Sequence, residues 1–166
     1  MIGKILSSLD QKFEFDVAQA HCDIPCGIYD PITAQIAALT VVRMVDLMKD
    51  LEANHKEHDL EYFNSMARYI AVKEEHAEKV KHEIRVIWGD YIKQAHLDKH
   101  PGLHTVVHNI MQLGSKSRQT ADRDTAVKLV EEVNQFAEIF WSTKDIKVKR
   151  ATAPYKPSLE VVYPDL

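Results

Sequence analysis

The sequence predicts an all-α fold, a four-helix bundle that carries a metal-binding hook at its N-terminal end and an extended tail at its C-terminal end. Three observations lead there. Apolar residues return every three to four positions through four separate stretches, only five glycines interrupt the 166 residues, and short polar or Pro-Gly breaks separate the stretches. Each amphipathic stripe must be buried against another element, and four helices on short connections do this most economically as a bundle. A chain of this length makes one domain with a real core, and no internal repeat divides it.

Composition removes several classes of function. The formal net charge is −4, and the lysines and arginines are scattered, so there is no basic stripe for nucleic acid. No run of eighteen apolar residues exists, and no membrane span is expected. Two cysteines do not make a secreted disulfide framework.

Residues 1–20 read as a pro-segment. Ala18-Gln19-Ala20 mimics a signal-peptidase site, yet Asp10, Lys12, Glu14 and Asp16 break the apolar core that a secretory leader needs. The segment is no ordinary export signal, and a cytoplasmic location is expected. A retained arm with Ile5, Leu6, Leu9 and Phe13 on one helical face is the alternative.

Residues 21–31 concentrate the reactive chemistry: His21, then Cys22 and Cys26 with three residues between them, then Tyr29. Pro25 stiffens the turn and Gly27 permits a backbone closed to residues with a Cβ, so two sulfurs can face one centre. A closed zinc site needs four protein ligands, and no second cysteine pair exists. Thiolates with nitrogen donors suit nickel or copper instead. His21 offers an imidazole, and a cut between Ala20 and His21 would add its α-amino group and the neighbouring Cys22 main-chain nitrogen. Taken alone, a pair of this spacing is as readily a buried apolar pair or a small redox disulfide. His21 and Tyr29 flanking it shift the reading to a metal.

The first helix is expected from Asp30 as N-cap and Pro31 as first helical residue to about Asn54, with Ile32, Ile36, Leu39, Val42, Val45 and Met48 inward. After a polar turn at residues 55–59, a second helix runs from about Leu60 to Tyr91. Phe63, Ala67, Ile70, Ala77, Val80, Ile84, Ile87 and Tyr91 form its apolar side, and Lys73, Glu74, Glu75, Glu78, Lys79 and Lys81 its solvated one. Trp88 reads as a packing anchor. Pro101 and Gly102 break the helical period, so His96, His100, His104 and His108 cannot share one face; only His104 and His108 do, and they read as solvated or structural. A short third helix, Leu103 to Leu113, is followed by a flexible connection at residues 114–120. The fourth helix, about Asp122 to Thr143, turns Ala126, Leu129, Val133, Phe136, Ala137 and Phe140 inward. Pro154, Pro157 and Pro164 exclude a helix in residues 146–166, which read as an extended arm on the same or a neighbouring subunit, with plain disorder as the alternative.

These residues together resemble a known family. His21-Cys22, Pro25-Cys26-Gly27 and Tyr29 are similar to the nickel hook of the nickel-containing superoxide dismutases. Lys73-Glu74, Ile87-Trp88-Gly89-Asp90-Tyr91, His96, Lys99, Pro101, Leu103-His104 and Ile139-Phe140-Trp141 extend the likeness over roughly residues 21–145. The resemblance implies a superoxide dismutase that cycles nickel between Ni(II) and Ni(III), with His21, Cys22 and Cys26 as ligands. It implies Tyr29 over the open side of the metal and Asp23 ordering the hook, both as catalytic residues. It further implies a precursor cut by a dedicated peptidase and a homohexamer with each hook at subunit contacts. Lys93 or Lys99 would steer superoxide. One departure is visible: family members brace the axial histidine with a glutamate and an arginine, and counting places Ala37 and His76 there. The alternatives are a non-enzymatic nickel-binding protein and a Cys22/Cys26 thiol redox module, with a structural scaffold last.

Overall fold

The computed structural model describes residues 27–166. Helix α1 spans Ile32–Asn54. Asp30 Oδ1 accepts the Ile32 N–H at 2.8 Å, as expected of a capping aspartate, while Pro31 takes the cap position itself, its carbonyl accepting the Gln35 N–H that opens the ladder. Helix α2, Leu60–Val86, is capped by Asp59 through the Tyr62 N–H and continues into a π-helical turn, Ile87–Tyr91. A short α3, Gln94–Lys99, precedes α4, Leu103–Gln119, and α5, Arg123–Ser142. Asp122 caps α5 by accepting the Asp124 and Thr125 N–H groups.

Helix α1 packs on α2 and α5, and α4 packs on the same two, so the four long helices close a ring. Phe136, Phe140, Ile84, Leu103, Ile110 and Leu129 fill its centre, all but fully buried. On α1 the buried face is Ala34, Ala37, Ala38, Leu39, Val41, Val42 and Val45. Small residues dominate it and admit close helix approach; Ile36, expected inward, is 48% exposed, and Ile32 and Met48 are half-buried.

Three expectations are corrected here. Residues 114–119 are helical rather than a flexible connection. Gly114 sits in the helix because a Cβ there would lie 2.8 Å from Lys81 Cγ and 3.4 Å from the Ala77 carbonyl oxygen, so it sets how closely α4 approaches α2. Lys73, placed on the solvated side by periodicity, is 2% exposed. Its ammonium donates to the carbonyls of Ser117, Arg118 and Thr120 at 2.6, 2.7 and 2.9 Å. Those are the unpaired carbonyls at the end of α4, where the helix dipole also favours a cation. Burial pushes the Lys73 ammonium below the usual lysine range, with Glu74 opposing and Arg118 assisting.

The third correction follows from the second. Because α4 stops at Lys73, residues 60–72 of α2 extend beyond it, and nothing in the ring covers their outer side. Phe63 is 57% exposed and Ile70 37%, and Ala67 is exposed as well, although the apolar period puts all three on the inward stripe. Tyr62 holds this extension to α1 through a short hydrogen bond to the Glu52 carboxylate.

The C-terminal tail is extended and lies on its own bundle. Strands β1, Val148–Thr152, and β2, Glu160–Pro164, pair antiparallel with Ala151 opposite Val161. Val161 and Val162 of β2, and Ala153 just after β1, are buried. Arg150 ties β1 to α5 by donating to Glu138 at 2.7 Å and Glu131 at 2.9 Å. Among the described residues no helix is long and apolar enough to cross a membrane.

Candidate metal centre

His21, Cys22, Asp23 and Cys26 lie outside the described residues, which begin at Gly27. Their donor chemistry is two thiols, an imidazole and, after a cut before His21, an amine, a soft sulfur-and-nitrogen set that fits nickel. Gly27 has φ 71°, a left-handed conformation that disfavours any Cβ. Among the described residues no atom would obstruct a Cβ at this position, so it is the backbone conformation that calls for glycine, as the sequence suggests.

Beyond Gly27 the chain passes Ile28, which is 81% exposed, and turns Tyr29 against the bundle. The half-buried Tyr29 ring lies 5.5 Å from that of Tyr91, tilted by 44°. Tyr91 is delivered by the last residue of the π-helical turn and is the hub of the site. His96 from α3 stacks on it at 5.3 Å and 19°, and Phe140 from α5 meets it at 5.1 Å. Its hydroxyl lies 2.8 Å from Thr143 Oγ1. Thr143 already donates its one proton to the Phe140 carbonyl, so the Tyr91 O–H is the donor to Thr143. The ring is therefore fixed on every side, and Tyr29 rests on a rigid platform.

The Lys144 ammonium sits 4.8 Å from the Tyr91 ring centroid and 5.3 Å from that of Phe140, an arrangement in which ring quadrupoles hold a cation. Lys93 donates from Nζ to the Asp90 carbonyl at 2.7 Å. Its own N–H donates to His96 Nδ1 at 3.1 Å, which in the neutral ring leaves the proton on Nε2. Lys144 thus lies against the same Tyr91 ring that Tyr29 contacts, and a cation there favours a small anion.

The remaining histidines are dispersed. His100 Nε2 lies 3.1 Å from Ser142 Oγ, His104 meets Trp88 edge-on at 5.7 Å, and His108 is exposed. Trp88 itself is 38% exposed, so it meets His104 at the surface rather than anchoring the core. Among the described residues no group of three or more His, Cys, Asp or Glu is arranged to hold a metal ion. Ala37 is a core residue, 1% exposed. His76 donates from Nδ1 to the Val72 carbonyl of its own helix at 2.9 Å. Lys99 is exposed. Sequence reasoning missed the hub role of Tyr91 and the placement of Lys144. The second had a signal, since Lys144 stands four residues after Phe140, in the turn just past the end of α5.

The profile of the family described as nickel-containing superoxide dismutase matches residues 16–144. The nickel superoxide dismutase of Streptomyces coelicolor is 35% identical over 125 residues, 75% of this chain and 88% of the relative. That of Streptomyces seoulensis is 38% identical over the same length and the same shares. Among solved structures, a native nickel superoxide dismutase aligns with a TM-score of 0.65 at 35% identity, covering 75% of this chain and 99% of its own. One with its nickel ligation in the oxidised state aligns at 0.66 and 35%, with the same coverage.

Proposed function

The chain belongs to the nickel-containing superoxide dismutase family, and from that premise we propose that His21, Cys22 and Cys26 hold its nickel. It is an oxidoreductase with a nickel cofactor and superoxide as substrate. The ligand reading is carried by one observation: the only two cysteines of the chain stand directly behind His21 with three residues between them, inside the matched span.

Nickel, when bound, supplies reversible one-electron transfer between Ni(II) and Ni(III), through which two superoxide anions and two protons give one hydrogen peroxide and one dioxygen. The protein's part is to make that potential accessible and to manage anions and protons. Cys22 and Cys26 as thiolates donate electron density that favours the higher oxidation state. His21 contributes its imidazole and, once residues 1–20 are removed by a processing peptidase, its α-amino group, with the Cys22 main-chain nitrogen beside it. Tyr29, held on Tyr91, offers its hydroxyl to a small anion or an ordered water and restricts larger molecules. Asp23 orders the hook around the ligands. Lys144 and Lys93 favour the approach of an anion although the whole chain is acidic.

Assembly as a homohexamer is supported by Leu60, Phe63 and Ile70, apolar side chains exposed along one extension of α2, since such patches mark contact surfaces. A cytoplasmic location is supported by the charged residues that interrupt the leader. No observation favours a storage protein or a thiol redox module.

The test compares a chain beginning at His21 with one bearing a single extra residue before it, both loaded with nickel. Superoxide removal is lost in the extended chain if the α-amino group is a ligand; equal activity in both would refute amine ligation. Cys22→Ser and Cys26→Ser each abolish stoichiometric nickel binding.

A further inference from the structure

The bundle carries two buried amide side chains whose hydrogen bonds run to the C-terminal hairpin. Gln35 on α1 is 2% exposed and Asn134 on α5 is 1% exposed. Gln35 Nε2 donates to the Val162 carbonyl at 3.0 Å and to Asn134 Oδ1 at 3.2 Å. Asn134 Oδ1 also accepts the Val162 N–H at 3.3 Å, and its Nδ2 donates to the Glu160 carbonyl at 2.9 Å. Strand β2 is paired with β1 along one edge only, and Glu160 and Val162 direct these main-chain groups away from β1. The two amides close that open edge as a third strand would.

Buried amides are costly unless every group is satisfied. In otherwise apolar helix faces, their presence means that α1 and α5 are built to receive the hairpin. The family match ends at residue 144, before β1 begins, so the hairpin is an addition to the common bundle. Its attachment point is specific. Gln35 stands on the first turn of α1, and its own N–H donates to the Pro31 carbonyl at 3.0 Å. Pro31 is buried, and Asp30 is bonded to the same turn. The hairpin is thus fastened to the turn that residues 27–31 lead into.

We propose that the C-terminal hairpin braces the metal-binding segment and that Gln35 is the positioning residue through which it does so, an inference that rests on the ligand reading above. A hook of a few residues has no core of its own, and a redox site needs supports that hold its ligands in place. Here the first turn of α1, which follows directly on residues 27–31, is tied to α5 and β2 by one side chain.

Gln35→Met in the full chain keeps the side-chain length and removes the donor, leaving the Val162 carbonyl unpaired. Lys73→Met is the comparison, since it removes buried polar contacts between α2 and α4 without touching the hook base. Hydrogen exchange of residues 27–33 in the metal-free protein and nickel release to a chelator from the loaded protein are measured beside thermal stability. Gln35→Met raises both exchange and release by about tenfold, in keeping with the loss of a buried hydrogen bond, whereas Lys73→Met lowers stability and leaves both unchanged. Exchange at the wild-type rate in Gln35→Met overturns the brace. So does unchanged nickel release, or an equal response of the two variants at equal loss of stability. Should Gln35→Met fail to fold, Gln35→Asn, whose shorter amide cannot reach Val162, is read the same way. The exchange measurement involves no metal, so it stands even if Cys22→Ser retains nickel and the ligand reading falls.

Discussion

Replacing Lys73 with methionine removes three charge-assisted hydrogen bonds at once, those to the carbonyls of Ser117, Arg118 and Thr120. Each such bond contributes roughly 1.5–3 kcal/mol net. Two terms reduce the total. Methionine escapes the several kcal/mol that dehydrating an ammonium costs, and Arg118 is exposed and Thr120 half-buried, so water can reach two of the three carbonyls. The balance is a loss of about 2–4 kcal/mol, or roughly 6–14 °C in Tm for a domain of this size. Circular dichroism melting of the metal-free protein measures it, and hydrogen exchange locates it: amides in residues 115–119 should lose protection before the rest of the bundle. A Tm within about 2 °C of the wild type would refute the reasoning, since the dehydration of the ammonium would then have cancelled its bonds.

Other outcomes are equally open to measurement. Asp122 and Asp59 have carboxyls held below the usual range, Asp122 chiefly by the Thr125 hydroxyl and Asp59 chiefly by the Tyr62 N–H. A group depressed in the folded state stabilises above its unfolded pKa of about 3.9, and that stability is lost as pH falls through the folded value. Asp122→Asn should therefore flatten the acid limb of a Tm-against-pH curve; an unchanged limb would contradict the capping geometry. Gly114→Leu forces a side chain into Lys81 and the Ala77 carbonyl and should destabilise by about 1–3 kcal/mol, measured by urea titration. Phe63→Ser with Ile70→Ser should leave helix content intact and reduce the oligomer in sedimentation, because both side chains are exposed in the single chain. Lys144→Met should lower kcat/KM for superoxide and weaken its dependence on ionic strength; an unaltered salt profile would show that this cation does not act on the substrate.

The helical architecture was legible because it is written locally. Asp30-Pro31 announces α1, Asp122 announces α5, and the apolar period runs faithfully through Val80, Ile84, Leu129, Val133 and Phe136. What periodicity could not show depends on distant residues. The extension of α4 through Gly114 relies on Lys73, more than forty positions earlier, so a stretch with the composition of a loop is helical. Phe63 and Ile70 follow the inward period correctly, but the helix that would cover them has already ended. The hairpin depends on Gln35, which is separated from Val162 by 127 positions, and no local pattern joins them. At the site, Tyr29 and Gly27 were readable from the hook itself, whereas the platform under Tyr29 is assembled from a π-helical turn, α3 and the end of α5. The ligands His21, Cys22 and Cys26 rest on the sequence and on kinship.

The termination of α4 at an internal ammonium leaves α1 and α2 to continue as a free-standing pair of helices, whose tip lies about 34 Å along α1 from the residues that lead into the hook. Such an outrigger can be lengthened or trimmed by whole turns without disturbing a single contact of Tyr29 or Tyr91. Its reach is a variable that evolution or a protein engineer can adjust separately from the redox chemistry.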